Sequence, residues 1–188
     1  MTETTQDIIL RGKLMWPKLF KPEPTYGRFE TNLLLDADNL KIAQENGLRI
    51  KKNEEWGTLF EGYDGSYVKS ERNSVSRDGK PIEAPDVYTA KVQPITKEIG
   101  IGNGTDATVK SMVKTLDMTG KFMSPAVAMQ KHKGYGLYLK AVMIRNLVPY
   151  GSDESKDFVE EDGSFVISDD QKKTFDFVQG DDLPFDPE

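Results

Sequence analysis

The chain has 188 residues, 37% hydrophobic and 30% charged, with a formal net charge of −6, a balance that suits one globular region of ordinary size. It has no cysteine and a single histidine, His132, which excludes disulfides and thiolate metal sites and leaves too little for a zinc centre or a His-dependent triad. The charge is partitioned: residues 1–150 hold 22 Lys+Arg against 18 Asp+Glu, a net +4, while residues 151–188 hold 3 Lys against 13 Asp+Glu, a net −10.

In chain order, "MTETTQDIIL" lacks both a basic region and a long apolar run, so no secretory signal is expected. No stretch approaches the roughly 18 apolar residues of a membrane span, and a cytoplasmic location is expected. "IILRGKL" at 8–14 reads as a strand, and "WPKLFKPEPT" at 16–25, with three prolines, as a loop. "YGRFETNLLL" at 26–35 places Phe29, Thr31, Leu33 and Leu35 on one face of a second strand. "DADNLKIAQENG" follows as a short helix, capped by Asp36 or Asp38 and ended by Gly47. "EEWGTLFEGYDG" reads as a second helix or an irregular turn, and "SYVKSER" as a strand. Residues 74–86, polar with two prolines and an Asp78-Gly79 pair, read as a long loop. "VYTAKVQP" is short and extended, and "GIGNGTD" at 100–106 is a glycine-rich turn. "ATVKSMVKTLDM" is a strand with Ala107, Val109, Ser111 and Val113 on one face. "SPAVAMQKHKGYG" is a connection with room for a helical turn, and "GLYLKAVMIRNLVPY" gives the strongest strand signal.

About five substantial strands, with one helix after the second, predict a mainly β fold. A five-stranded OB-type barrel fits the pattern, ahead of other β architectures. The composition shifts after Tyr150, which divides the chain into a barrel at 1–150 and an acidic, largely flexible tail at 151–188.

Motifs of chemistry are few. "GIGNG" at 100–104 is neither G-x-G-x-x-G nor a P-loop, and its glycines serve a hairpin. Asp36 and Asp38 could hold Mg²⁺, but helix capping accounts for them, so no metal or other cofactor is expected. His132, between Lys131 and Lys133, suits phosphate contact and not catalysis. With no convergent acid set, the chain is not expected to be an enzyme.

Basic and aromatic residues interleave through the first 150 positions. Single-stranded nucleic acid demands cations for phosphates and flat rings for bases. The candidates are Trp16, Lys18, Phe20, Tyr26, Arg28, Lys69, Lys110, Lys114, Tyr138 and Lys140, with Lys131 and Lys133 as a rim. Each ring has a competing reading as core, strongest for Phe29, Trp56 and Phe60. In the tail, carboxylates imitate phosphates and phenylalanines imitate bases, so the segment can compete for the same groove. Near its tip, Asp181, Asp182, Leu183, Pro184 and Phe185 form "DDLPF", suited to an apolar pocket with a basic rim on a partner protein.

"DDLPF" resembles the acidic tip of bacterial single-stranded-DNA-binding proteins. The body, through "GKLMWPKLFKPEP", "YGRFETNLLLD", "IGNGTDATVK" and "GYGLYLKAVMIRNLV" in that order, is similar to the OB-fold single-stranded-DNA-binding proteins of tailed phages. The resemblance implies an OB barrel with a cationic, aromatic groove and a tail that recruits replication, recombination and repair proteins and restrains DNA binding. In the bacterial proteins the tip Phe ends the chain; here Asp-Pro-Glu follows Phe185, so either Asp186 stands in for the terminal carboxylate or the partner differs. The expected function is sequence-independent binding of single-stranded DNA in phage replication or recombination. A homo-oligomer is compatible with the sequence. An RNA-binding chaperone on the same barrel and a structural or virion interaction protein are the alternatives.

Overall fold

The computed structural model describes residues 6–150. The acidic segment, including Asp181, Asp182, Leu183, Pro184 and Phe185, lies outside them.

Strand β1 (Asp7–Glu23) opens with Asp7, Ile9 and Arg11 exposed between buried Ile8, Leu10 and Gly12. That alternation is what a strand with one face on a core requires. In β2 (Arg28–Asp36) the buried positions include Phe29, Thr31, Leu33 and Leu35, the face expected from the sequence. The Asp36 carboxylate then accepts the Asn39 amide at 2.8 Å and caps helix α1 (Ala37–Glu45). Gly47, at φ +63°, carries the chain out of the helix. Short strand β3 (Ile50–Lys52) and the single-turn α2 (Glu54–Gly57) lead into β4 (Tyr63–Asn73). The remaining elements are β5 (Asp86–Thr89), β6 (Thr105–Lys114), α3 (Pro125–His132) and β7 (Gly136–Asn146).

Antiparallel pairings join β1 to β2, β2 to β4, β6 to β7 and β1 to β6. A short parallel contact, Ser70 with Leu137 and Glu71 with Tyr138, joins β4 to β7 and closes the barrel. The five expected strands therefore form a closed five-stranded barrel with a short helix after the second. Short strand β3 extends the free part of the β4 edge, and β5 that of β7. The core is aliphatic: Leu14, Leu139, Val142 and Ile144 are fully buried. Within it a hydrogen bond joins the Ser70 and Ser111 hydroxyls from β4 and β6. Two buried hydroxyls that satisfy each other avoid the cost of orphaned polar groups.

Four stretches differ from the sequence reading, one being residues 115–118, read as the end of a strand but forming a hairpin arm bridged between Leu116 and Phe122. Residues 16–23 continue β1 instead of forming a loop. Pairing with β6 ends at Leu14, so this half of β1 pairs with β2 alone. Prolines are tolerated there because an edge does not need every N–H. Residues 74–82 are a hairpin with a bridge between Val75 and Pro81. Helix α3 spans eight residues, more than the single turn expected; Ser124 caps it, Pro125 occupies its first turn, and Lys133 ends it at φ +59°. Trp56 and Phe60 are half-buried outside the barrel, whereas Phe29 is buried. The Trp56 ring lies 4.8 Å from Tyr67, and the space a side chain on Gly104 would fill is taken by the Phe60 ring.

Candidate nucleic-acid interface

Arg28 stands outward at the start of β2, and Glu30 is two residues on. Across the ladder on β4, Lys69 and Glu71 face the same side. Lys114, the last residue of β6, pairs with Gly136 of β7. Because Gly136 has no side chain, the Lys114 stem passes over it, 3.4 Å from where a Cβ would sit. Lys114 thereby reaches β4, where its Nζ donates to Glu71 Oε1 at 3.3 Å. Arg28 Nη1 donates to Glu71 Oε2 at 3.2 Å, and Lys69 Nζ lies 3.9 Å from the same oxygen. Lys69 is also held by Glu30 at 2.7 Å. Three cations from three strands thus converge on one carboxylate. Burial pushes the Glu71 carboxyl up, but Lys114, Arg28 and Lys69 outweigh it and leave the group below its ordinary 4.5.

These residues form part of an open cleft of about 500 Å³. Arg49 and Lys51 of the β3 segment, Arg77 of the 74–82 hairpin, and His132 and Gly134 at the end of α3 also line it. Six Lys and Arg side chains face two carboxylates, Glu71 and Asp117. Asp117 is engaged within its own turn, accepting from the Thr119 hydroxyl and from the Thr119 and Lys121 amides, which hold its carboxyl below the ordinary value. Arg49 Nε is buried and has no hydrogen-bond partner among the described residues. Gly134, at φ +120°, lies so close to Leu48 and Arg49 that a Cβ would stand 2.6 Å from their backbone. The cleft is therefore strongly cationic, with Arg28, Lys69 and Lys114 held by ion pairs before any ligand arrives.

Of the residues singled out from sequence, Arg28, Lys69 and Lys114 share this cleft. Tyr26 is beside it at the β1–β2 turn, 71% exposed, with the Arg28 guanidinium 5.9 Å from its ring. Lys131 and Lys133 flank His132, exposed at the end of α3. Tyr138 is half-buried with Arg72 at 5.5 Å over its ring. Phe20 packs partly on the core, and Lys18, two residues earlier, is exposed opposite Glu30. Trp16 is 56% exposed and sits in a β-bulge at φ +54°, its amide bonded to Asn103 Oδ1 at 2.6 Å. Lys110 and Lys140 belong to a separate cluster, both paired with Asp7 at 3.4 and 2.9 Å. Lys140 is the extra residue of a bulge between Leu139 and Ala141. Arg49, Lys51 and Arg77 were not singled out from sequence. Their signal was charge in short, irregular segments whose position depends on long-range pairing. Among the described residues no group of three or more acidic or histidine side chains gathers as a metal site, and Asp36 is the cap of α1.

No protein-family model and no curated protein matches the chain. Solved structures do. The single-stranded DNA-binding protein gp2.5 encoded by bacteriophage T7 superposes with a TM-score of 0.50 at 16% identity, covering 87% of this chain and 100% of that one. The barrel is an OB fold. The single-stranded DNA-binding protein of bacteriophage Enc34 gives 0.49 at 15% identity, covering 80% of this chain and 87% of that one. The same Enc34 protein in complex with single-stranded DNA gives 0.48 at 15%, covering 77% and 89%. On the OB barrel of this chain the cationic cleft spans β2, β4 and the β6–α3 connection.

Proposed function

We propose that this protein is a non-enzymatic, sequence-independent single-stranded-DNA-binding protein of phage origin, serving DNA replication and recombination in the host cytoplasm. One observation carries the reading: Arg28, Lys69 and Lys114 are gathered from three strands onto one carboxylate in an open cationic cleft. Fixed cations on a rigid sheet suit a polyanion whose phosphates repeat regularly. The OB fold shared with gp2.5 is consistent with it. Lysines and arginines of the cleft neutralise phosphates; Trp16, Phe20, Tyr26 and Tyr138 are candidates to stack on bases, and Lys18, Lys110, Lys131, Lys133 and Lys140 to extend the phosphate track. The segment at 151–188, net −10, competes with DNA for the cleft and recruits replication and recombination proteins through Asp181, Asp182, Leu183, Pro184 and Phe185.

Gel shifts with single-stranded DNA, duplex DNA and RNA of one sequence test the reading. Single-stranded DNA should bind most tightly. Stronger binding of RNA would favour a chaperone, and no binding of any oligonucleotide would leave a structural role. Cutting the chain after Tyr150 should tighten single-strand binding at low salt and weaken recruitment of partners; unchanged affinity would remove the competition.

A further inference from the structure

The cleft is bordered by two hairpins built on one plan. Residues 74–82, "SVSRDGKPI", and 115–123, "TLDMTGKFM", align position for position. Val75 bridges Pro81 as Leu116 bridges Phe122. The Ser76 amide donates to the Lys80 carbonyl at 2.8 Å as Asp117 does to Lys121 at 2.8 Å. The Gly79 amide turns back to Ser76 and Gly120 to Asp117, with the two glycines at φ +76° and +80°. This is the three-residue turn in which only the last position needs a left-handed residue. The tips meet: Arg77 Nη2 donates to the Met118 carbonyl at 3.3 Å.

The two arms differ in what they present. The 74–82 arm carries Arg77 and Lys80. The 115–123 arm carries Lys121, the counterpart of Lys80, and in addition an apolar face. Met118 is 84% exposed, Phe122 61% and Leu116 38%. Leu116 and Met118 line the cleft. Leu116 and Phe122 form a closely spaced pair, flanked by the ladder bonds of Asp117 with Lys121 and Met123 with Thr115. In such a pair the side chains stand next to each other on one face. The Phe122 ring is therefore set beside Leu116. Large apolar side chains this exposed, two of them lining a cationic cleft and Phe122 beside them, call for a ligand with a flat apolar part and an anionic part.

We infer that the 115–123 hairpin is the base-binding platform of this site: the nucleobases of a single strand lie on Phe122, Met118 and Leu116 while their phosphates rest on Arg28, Lys69 and Lys114. The 74–82 arm, touching at Arg77, closes the strand in. This rests on the reading of the cleft as a single-strand site and adds the residues that hold the bases. Charge complementarity selects the occupant, since a purely apolar partner would desolvate six cations that face only two carboxylates and would supply no anion for the excess.

The test is binding of the full chain to an oligo-dT strand and to an abasic deoxyribose-phosphate strand of equal length, by fluorescence anisotropy, for the natural sequence and for Met118→Ser/Phe122→Ser. Both side chains are exposed, and circular dichroism checks the fold. The natural chain should prefer oligo-dT over the abasic strand. The double variant should lose about 5- to 150-fold for oligo-dT, keep its affinity for the abasic strand, and so narrow the preference between the two strands. Unchanged oligo-dT affinity in the double variant, or an equal loss on both strands, overturns the inference and leaves the cleft intact. If the natural chain binds neither strand, the single-strand reading itself fails.

Discussion

The Arg28 guanidinium lies 3.2 Å from the Glu71 carboxylate, a contact that links the first residue of β2 to the outer face of β4. Glu71 sits at the centre of the cleft as well, holding Lys114 and Lys69 at 3.3 and 3.9 Å. It serves two opposed purposes. It keeps three like charges together without ligand, and it subtracts one charge from the surface that would attract phosphates.

Glu71→Gln is therefore expected to tighten single-strand binding at low salt by up to about fivefold, because one repulsive charge is removed at a partly exposed site. The same change should lower stability by about 1 kcal/mol or less, since three cations lose their shared partner. Anisotropy titration and urea unfolding read the two effects. Weaker binding would mean that Glu71 positions its cations more than it repels DNA.

The pH response follows from the same group. Its carboxyl is held below 4.5 in the folded chain. A depressed carboxylate value contributes stability that is complete above the unfolded-state value and is lost as pH falls through the folded-state value. Urea midpoints should therefore be steady from neutral pH to about 5.5 and fall below about 4.5. In Glu71→Gln that fall should be smaller. An identical fall in both would assign it to other carboxylates, such as Asp7, which the Lys140 hydrogen bond also holds below its ordinary value.

Two groups of lysines that look alike in sequence occupy different surroundings. Lys114 belongs to the cleft, whereas Lys110 and Lys140 are paired with Asp7 away from it. Lys69→Ala and Lys114→Ala should each make the slope of log affinity against log salt shallower by about 0.7. Lys110→Ala and Lys140→Ala, whose charges Asp7 already partners, should each change it less. The reverse ordering would move the phosphate track to the Asp7 side of the barrel.

Trp16 occupies a left-handed backbone position, φ +54°, within a bulge that precedes Pro17. A side chain there costs roughly 1–2 kcal/mol, of which glycine avoids most, less its own unfolded-state entropy. Trp16→Gly should be more stable than Trp16→Ala by about 0.5–1 kcal/mol in urea unfolding. Equal stability would show that the bulge relaxes freely.

The barrel was legible because its strands announce themselves locally. Phe29, Thr31, Leu33 and Leu35 alternate, as do Ala107, Val109, Ser111 and Val113, and each set is buried. The helix after the second strand was legible from Asp36 and Gly47, which mark its ends. The cleft was only half legible. Arg28, Lys69 and Lys114 stood out beside aromatic residues, but their convergence depends on Gly136 letting one side chain cross a strand. Arg49, Lys51 and Arg77 are brought to the cleft by a three-residue strand and a hairpin. The Asp78-Gly79 turn was visible, yet its twin at Thr119-Gly120 was hidden because residues 115–118 before it read as the end of a strand. Prolines at 17 and 22 pointed to a loop, because a sequence does not reveal that half of β1 lacks a second neighbour.

The central claim is that a fixed cluster of cations on this barrel neutralises the phosphates of a single strand. Its most direct test is the affinity of the full chain for oligo-dT over a range of salt concentrations. Four phosphate contacts, one each for Arg28, Lys69, Lys114 and Arg49, set a log–log slope of about −3 or steeper. A slope near zero, or one unchanged when all four residues are replaced by alanine, would contradict it.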